Sequence, residues 1–284
     1  MLRLTRTDTR TDRRGVRALA LGATLVLLVA ACGGSPSAVP GGESAGPGES
    51  TGPVASGPGG ATAGPGESPG GTTGEGAFGA ATTSLDSLDS YTFKVEINST
   101  SVSGSVTTAT HTVFSGVVVK KPDPASRLDM LDLDADGNVS SQTSIVVIGA
   151  QAWLSSDGAD GPWTEAPAAY ADTFIQSMAA LRPEQMFGMY FAGIGSDFHA
   201  VGTETKNGIA STHYQGDEAV GALLGAIAGV QGSWTSDVWI ANDGGFLVHS
   251  EAGAQASAGG EGGSFMIVVD ITDPNASGPL APPM

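Results

Sequence analysis

Three short segments match the pattern Gly-x-Ser-x-Gly, which places a nucleophilic serine on a sharp turn in one class of hydrolases. They are residues 42–46, 48–52 and 66–70. The pattern works only where a strand delivers the serine, a helix follows, and backbone amides bind the developing oxyanion. All three segments lie in a Gly- and Pro-rich stretch that predicts neither element. We therefore expect no catalytic residue here and no enzymatic activity for the chain.

Two patterns could bind a metal ion. Residues 132–138 (DLDADGN) are similar to the first half of a calcium loop, but the twelfth position is Thr143 instead of a bidentate Glu. Because strands rather than helices are expected on both sides, a polar hairpin turn is the preferred interpretation. The histidines fall in separate predicted strands, without the short spacing that brings two zinc ligands together. They are His111, His199, His213 and His249. We predict no metal site and no cofactor.

The single cysteine, Cys32, follows an apolar segment near the N-terminus. Six arginines precede residues 18–31 (ALALGATLVLLVAA), which are uncharged. This run has the length of a secretory signal and is shorter than the roughly 20 residues that span a bilayer. Its end, residues 29–33 (VAACG), resembles the bacterial lipobox, which implies that the cysteine sulfur receives a diacylglyceryl group before cleavage. We predict a lipoprotein signal peptide over residues 1–31 and lipidation at Cys32.

The charge distribution restricts the possible partners. After position 17 the chain has six basic and 27 acidic residues. Such a surface repels the phosphates of nucleic acids and of anionic headgroups, so nucleic acid is excluded as a partner. Membrane attachment must then be through the acylated Cys32, since acyl chains contribute roughly 0.8 kcal/mol per buried CH₂. The expected location is the outer face of the plasma membrane.

The segment after Cys32 has the composition of a tether. Residues 33–80 include 17 Gly, 7 Pro and 6 Ser, with Phe78 as the only large apolar residue. Such a segment cannot bury enough apolar surface to form a core. We predict a disordered tether over residues 32–83, with an end-to-end distance of about 40 Å.

Residues 84–284 have the pattern of one folded domain. Tyr91, Phe93, Val95 and Ile97 alternate with polar residues, which is the period of a half-buried strand. Nine similar runs, bounded by turn residues, predict further antiparallel strands. Beyond the first, they are residues 111–121, 127–133, 144–148, 151–154, 198–203, 209–215, 236–241, 246–251 and 264–272.

Helices are predicted between two groups of strands. An apolar stripe over residues 170–181 indicates one helix, Pro183 begins a second short one to about Phe191, and Asp217 is a plausible N-cap for residues 218–229. The expected fold class is α+β, with two or three helices on an antiparallel sheet.

Several segments of this domain follow one another in a characteristic order. They are residues 91–95 (YTFKV), 116–122 (GVVVKKP), 148–153 (IGAQAW) with Trp163, 212–214 (THY), 236–240 (SDVWI) and 270–275 (DITDPN). In this order they resemble the LprG/LppX-type bacterial lipoproteins, which share a half-barrel with the LolA lipoprotein carrier. The resemblance implies a curved sheet whose concave face, covered by helices, holds acyl chains. It also implies a role in carrying a lipid or lipoglycan, with an envelope transporter as a possible partner, and no catalytic residues.

One helix supports this interpretation from its residues alone. Residues 219–230 (AVGALLGAIAGV) contain no hydrogen-bonding side chain, so the helix must be covered. It could be a roof over a lipid cavity, with Leu223, Leu224 and Ile227 lining it, or a core helix that packs closely through its glycines. The first predicted helix offers the same choice, with Phe174 and Met178 as cavity-lining or ordinary core residues.

Two hypotheses of function follow from the sequence. In the first, an anchored, non-enzymatic lipoprotein binds an amphiphile in an apolar cavity and carries or presents it. In the second, an envelope sensor or scaffold with the same fold fills its interior with its own side chains and binds a protein partner.

Overall fold

The computed structural model describes residues 75–185, 195–228, 232–258 and 261–284. Within them, eleven strands form one curved antiparallel sheet with the order β6-β5-β4-β3-β2-β1-β11-β10-β9-β8-β7. The strands are β1 (Ser90–Ser103), β2 (Val106–Val119), β3 (Ala125–Leu133), β4 (Val139–Ile148), β5 (Gln151–Ser155), β6 (Thr164–Glu165), β7 (Phe198–Lys206), β8 (Ile209–Gly216), β9 (Ser233–Ala241), β10 (Leu247–Ala258) and β11 (Glu261–Thr272). The predicted α+β class with an antiparallel sheet is confirmed.

The first and last strands meet at the centre of the sheet. β1 pairs with β11 over twelve residues, from Thr92 opposite Thr272 to Ser103 opposite Glu261. The first group of strands then extends outward from β1 to β6, and the second group from β11 to β7. Neighbouring strands within each group are therefore consecutive in the chain, and β8 and β9 are joined through a helix at residues 218–228. The long connection between the groups, from β6 to β7, joins one edge of the sheet to the other.

Two hairpins lie where their turn residues predict them. β4 and β5 are joined at Gly149, whose φ is 57°, and β9 and β10 are joined through Gly244 and Gly245, with φ of 81° and 63°. A residue with a side chain is strained in this left-handed region, so glycine is suited to these positions. The β1–β2 hairpin is longer than predicted, because its Ser- and Thr-rich outer part also pairs, up to Ser103 opposite Val106.

Three α-helices are described: α1 (Glu75–Ser87), α2 (Ala168–Ala180) and α3 (Glu218–Ala228). α2 and α3 lie where the sequence predicts them. The second short helix predicted from Pro183 falls largely on residues 186–194, outside the described residues. Among the described helices, none has both the length and the apolar character needed to cross a membrane.

Helix α1 begins inside the segment predicted to be tether. Its Phe78 is 4% exposed and its Ala81 is fully buried, so this helix belongs to the core. The Phe78 ring lies 4.5 Å from that of Phe198 and 5.6 Å from that of Tyr214. Residues 75–83, which the composition assigned to the tether, therefore belong to the folded domain.

Successive side chains of a strand point to opposite faces, and directly opposed residues of an antiparallel pair share a face. We call the face that contributes Tyr91, Phe93 and Val95 to the core the inner face. The helices contribute to the same core cluster through residues such as Leu85, Met178 and Leu224. The inner face is thus the one that the helices cover.

Candidate apolar binding site on the inner face

The inner face changes character along the strand direction. In β1, Tyr91, Phe93 and Val95 are at most 4% exposed, whereas Ile97 is only half-buried. Two residues further on, Ser99 begins the polar part of the strand. The inner face therefore has a buried end at Tyr91, a half-buried apolar zone at Ile97 and a polar end at Ser99.

The same half-buried zone continues across neighbouring strands. Register places Ile267 directly opposite Ile97, and Met130 directly opposite Phe114. We call this set the inner strip. It consists of half-buried apolar side chains that pack against the core cluster, namely Leu154, Met130, Phe114, Ile97, Ile267 and Trp234. The strip extends from β5 to β9, and it is apolar surface that the described helices do not fully cover.

Small side chains lie between the large ones on β10. Ala252 faces Ile267, and Ala254 faces Phe265. The next strand contributes Trp234, whose ring centroid is 5.8 Å from that of Phe265. The two alanines are buried, so β10 interrupts the row of half-buried side chains between Ile267 and Trp234.

Helix α2 supplies two predicted lining residues. Met178 is 5% exposed and belongs to the core cluster, while Phe174 and its neighbour Ile175 are half-buried against it. The helix packs on β5. Phe174 therefore keeps some exposed apolar surface, whereas Met178 is enclosed by the core.

Helix α3 is fixed at its N-terminus by the predicted cap. The Asp217 carboxylate accepts hydrogen bonds from the backbone N–H groups of Ala219 (2.8 Å) and Val220 (3.3 Å). These bonds satisfy two of the donors that every helix start leaves unpaired. The predicted N-cap is confirmed.

The same helix lies close to the sheet, against β8 and β9. A Cβ placed on Gly221 would be 3.1 Å from Trp234 Cβ, so glycine permits this approach. Leu224 is 6% exposed and in the core, while Leu223 is half-buried. The close contact at Gly221 agrees with the interpretation of α3 as a core helix. Of the two leucines, only Leu223 keeps exposed apolar surface that could line a cavity.

The polar end of the inner face consists mainly of hydroxyl groups. Ser99 and Thr110 share a hydrogen bond of 2.9 Å. Thr112 and Ser141 both donate to the Asp132 carboxylate, at 2.8 Å and 2.7 Å. An apolar ligand on the strip would meet hydrogen-bonding groups on this side.

The buried end is closed by a polar cluster of Tyr91, Glu184 and Lys120. The Tyr91 hydroxyl donates to a carboxylate oxygen of Glu184, and Lys120 Nζ lies 3.8 Å from the other oxygen. Burial, together with the adjacent Glu184 carboxylate, raises the pKa of Tyr91 far above its usual range. The sequence offered no sign of this cluster, because Glu184 sits in a predicted helix and its partners are more than 60 residues away.

The outer face has two of the histidines close together. His213 stacks on Trp239 with ring centroids 4.1 Å apart, and His249 makes an edge-type contact with the same ring at 4.9 Å. Their nearest carboxylates are Asp237 and Asp270, each at 2.7 Å. Among the described residues, no group of three or more metal-ligating side chains is suitably placed for a metal ion.

The calcium-loop likeness is a polar hairpin turn. Asp134 Oδ1 accepts hydrogen bonds from the backbone N–H groups of Asp136 (3.0 Å) and Asn138 (2.8 Å). Hydrogen bonds from Asn138 are the main cause of a lowered pKa for Asp134. The carboxylate therefore stabilises its own turn.

Two of the predicted site residues lie outside what the structure describes. Cys32 is among residues 1–74, and the side chain of Ile227 is not described although its backbone belongs to α3. Their roles stay predictions.

Known proteins give similarity of structure only. No protein-family model matches the sequence, and no curated protein matches it. LprF from Mycobacterium bovis matches over 74% of this chain and 96% of its own, with 11% identity and a TM-score of 0.43. The Mycobacterium tuberculosis lipoprotein LppX matches over 72% and 97%, with 17% identity and a TM-score of 0.38. A LolA superfamily protein from Nitrosomonas europaea matches over 71% and 92%, with 11% identity and a TM-score of 0.22.

These matches include the kinds of protein that the sequence resembles, LppX-type lipoproteins and the LolA superfamily. At these identities the likeness concerns the path of the backbone alone. What the inner strip binds has to be argued from its own residues.

Proposed function

We propose that this chain is a lipid-anchored protein of the bacterial envelope that binds the acyl part of a lipid or lipoglycan against the inner strip and carries or presents it. The observation that carries the proposal is the strip itself, a row of half-buried apolar side chains between a buried end and a hydroxyl-rich end. An amphiphile has the matching arrangement, because its acyl chain can lie along the apolar strip while its polar headgroup reaches the hydroxyl-rich end.

The physical reason is the hydrophobic effect. Each methylene of an acyl chain that leaves water against the strip contributes about 0.8 kcal/mol. About ten methylenes would supply on the order of 8 kcal/mol, before the cost of ordering the chain is subtracted. The half-buried positions are where a ligand gains most, because they still have surface to remove from water.

The anchor is the second part of the proposal. Acylation of Cys32 would hold the protein at the outer face of the plasma membrane, and residues 33–74 would separate the folded domain from the headgroups. A Cys32→Ala variant is expected to lose the lipid modification, which intact mass spectrometry of the membrane fraction would detect. A variant that keeps the acyl mass would contradict the anchor.

Two adjacent residues offer a matched test of lipid binding. Ile267 belongs to the inner strip, whereas Met266 is 41% exposed and lies on the opposite face of β11. We would replace the signal peptide and Cys32 by a cleavable secretory signal and analyse the released residues 33–284 by native mass spectrometry. Wild type and Met266→Glu are expected to contain co-purified lipid, and Ile267→Glu to contain at least about tenfold less, because a charge there is desolvated by the ligand.

The alternative is a sensor or scaffold that binds a protein partner. It is favoured by how many large side chains the described domain packs into its own core, among them Tyr91, Phe93, Leu128 and Phe198. Wild-type protein that is free of lipid in the same experiment would contradict lipid carriage and support this alternative.

A further inference from the structure

The chain that leaves α2 brings a carboxylate into the buried end of the inner face. The Glu184 side chain is 3% exposed, and its partners are the Tyr91 hydroxyl and Lys120 Nζ. A buried carboxylate without partners is strongly disfavoured, so these contacts determine where Glu184 can be. The polar cluster therefore attaches the end of α2 to the start of β1 and the end of β2.

Lys120 extends the attachment to a third element. Its Nζ donates to the backbone carbonyl of Leu85 at 2.7 Å and to the Asp86 carboxylate at 3.2 Å. The last turn of α1 contains no basic residue. The Lys120 ammonium therefore supplies the positive charge that favours a helix C-terminus, and it donates to one of the carbonyls of that turn. The cluster thus joins α1, the centre of the sheet and the segment after α2.

The opposite end of α2 is held near the edge of the sheet. Two residues before the helix begins, the Ala166 N–H donates to the Ala152 carbonyl of β5 at 2.8 Å, and β5 is four strands from β1. Four strand spacings are about 19 Å, and a helix of 13 residues is about 20 Å long. The helix begins beside β5, and Glu184, four residues after its end, contacts Tyr91 of β1. Between these two points α2 crosses β3 and β2, the strands that contribute Met130 and Phe114 to the inner strip.

From this arrangement we infer that Glu184 is a positioning residue, which with Tyr91 and Lys120 sets the distance between α2 and the inner strip. The inference rests on the proposed function in one respect, namely that a bound acyl chain contacts both α2 and the inner strip. Weakening the cluster would free the C-terminal end of α2 from the sheet, while the contact of α2 with β5 remains. Ligand would then leave faster, although Glu184 itself does not contact it.

Hydrogen exchange tests the positioning without any ligand. We would compare the full chain in lipid nanodiscs with Glu184→Ala, Tyr91→Phe and the double variant. Amides of α2 are expected to exchange about tenfold faster or more in each, and the double variant to add little, because both changes remove the same contact. Glu184→Gln keeps an acceptor for the Tyr91 hydroxyl and should retain most of the protection.

A nearby exposed ion pair provides the control. Lys121 Nζ and Asp89 Oδ1 are 2.7 Å apart, with side chains that are 69% and 55% exposed. Asp89→Asn should leave α2 protection unchanged. If Glu184→Ala leaves α2 protection unchanged as well, or lowers protection equally in α2 and in β9–β11, the positioning role is wrong.

A lipid probe tests the consequence. Release of pyrene-labelled phosphatidylcholine to vesicles of phosphatidylglycerol and phosphatidylethanolamine should be about tenfold faster from Glu184→Ala than from wild type or Asp89→Asn. Equal release rates would overturn the effect on ligand exchange. If wild type takes up no probe while Glu184→Ala still loosens α2 selectively, the positioning role stands and the proposed function fails.

Discussion

Lys120 and Lys121 are adjacent in the sequence but differ in burial and in the groups that they contact. Lys120 is 16% exposed and contacts Leu85, Asp86 and Glu184, whereas Lys121 is 69% exposed and contacts Asp89. The sequence gives them the same chemistry. What distinguishes them is the position of Lys120 beside α1 and the buried Glu184, which the linear pattern does not reveal.

Replacing each lysine by methionine should therefore have different effects on stability. Lys120→Met removes the ammonium group that the Leu85 carbonyl of α1 and the buried Glu184 carboxylate share, and we expect a loss of about 1–3 kcal/mol. Lys121→Met removes an exposed ion pair, for which a loss of no more than about 0.5–1 kcal/mol is expected. Urea unfolding of both variants would measure the difference, and equal losses would contradict the role of the cluster.

Tyr91 should make stability depend on alkaline pH. Burial and Glu184 raise the pKa of Tyr91 in the folded protein above its unfolded value of about 10. Its contribution to stability is then fully present below about pH 10 and is lost as the pH rises above it. Between about pH 9 and about pH 11, wild type should lose more free energy of unfolding than Tyr91→Phe. Parallel losses measured by denaturant unfolding would argue against a buried phenol.

At the scale of elements, α3 and α1 illustrate what sequence can and cannot predict. α3 has a cap at Asp217 and an uninterrupted apolar run, and both its start and its type are as predicted. α1 was missed because Gly76 and Gly79 make its composition similar to the segment before it. Its stability comes from tertiary contacts of Phe78 with Phe198 and Tyr214, which are more than 100 residues away.

The glycine contact of α3 can be tested with two positions on one helix. Gly221→Val would force the helix away from Trp234, which we expect to cost about 1–3 kcal/mol in overpacking. Ala222→Val places the same side chain on an exposed position, where helix propensity predicts a loss of roughly 0.5 kcal/mol. Thermal unfolding should separate the two variants, and a Gly221→Val protein as stable as wild type would show that the close approach is dispensable.

At the scale of the whole molecule, the strand pattern predicted the class of fold well. Period-two alternation in β1 and the hairpin at residues 242–245 are local features, and both are present in the structure. The inner strip was not predictable in the same way, although Ile97 belongs to the alternating set. Whether an inner-face residue is covered depends on where α1, α2 and α3 cross the sheet, and no local pattern determines this.

The central claim is that acyl chains contact the inner face and not the outer one. Its most direct test is photocrosslinking in living cells, with benzoylphenylalanine in place of Phe114 on the inner strip or of Met266 on the outer face, followed by mass analysis of the purified chain. The claim predicts a covalent lipid adduct at position 114 and none at position 266. An unmodified chain at position 114, or equal adducts at both positions, would contradict it.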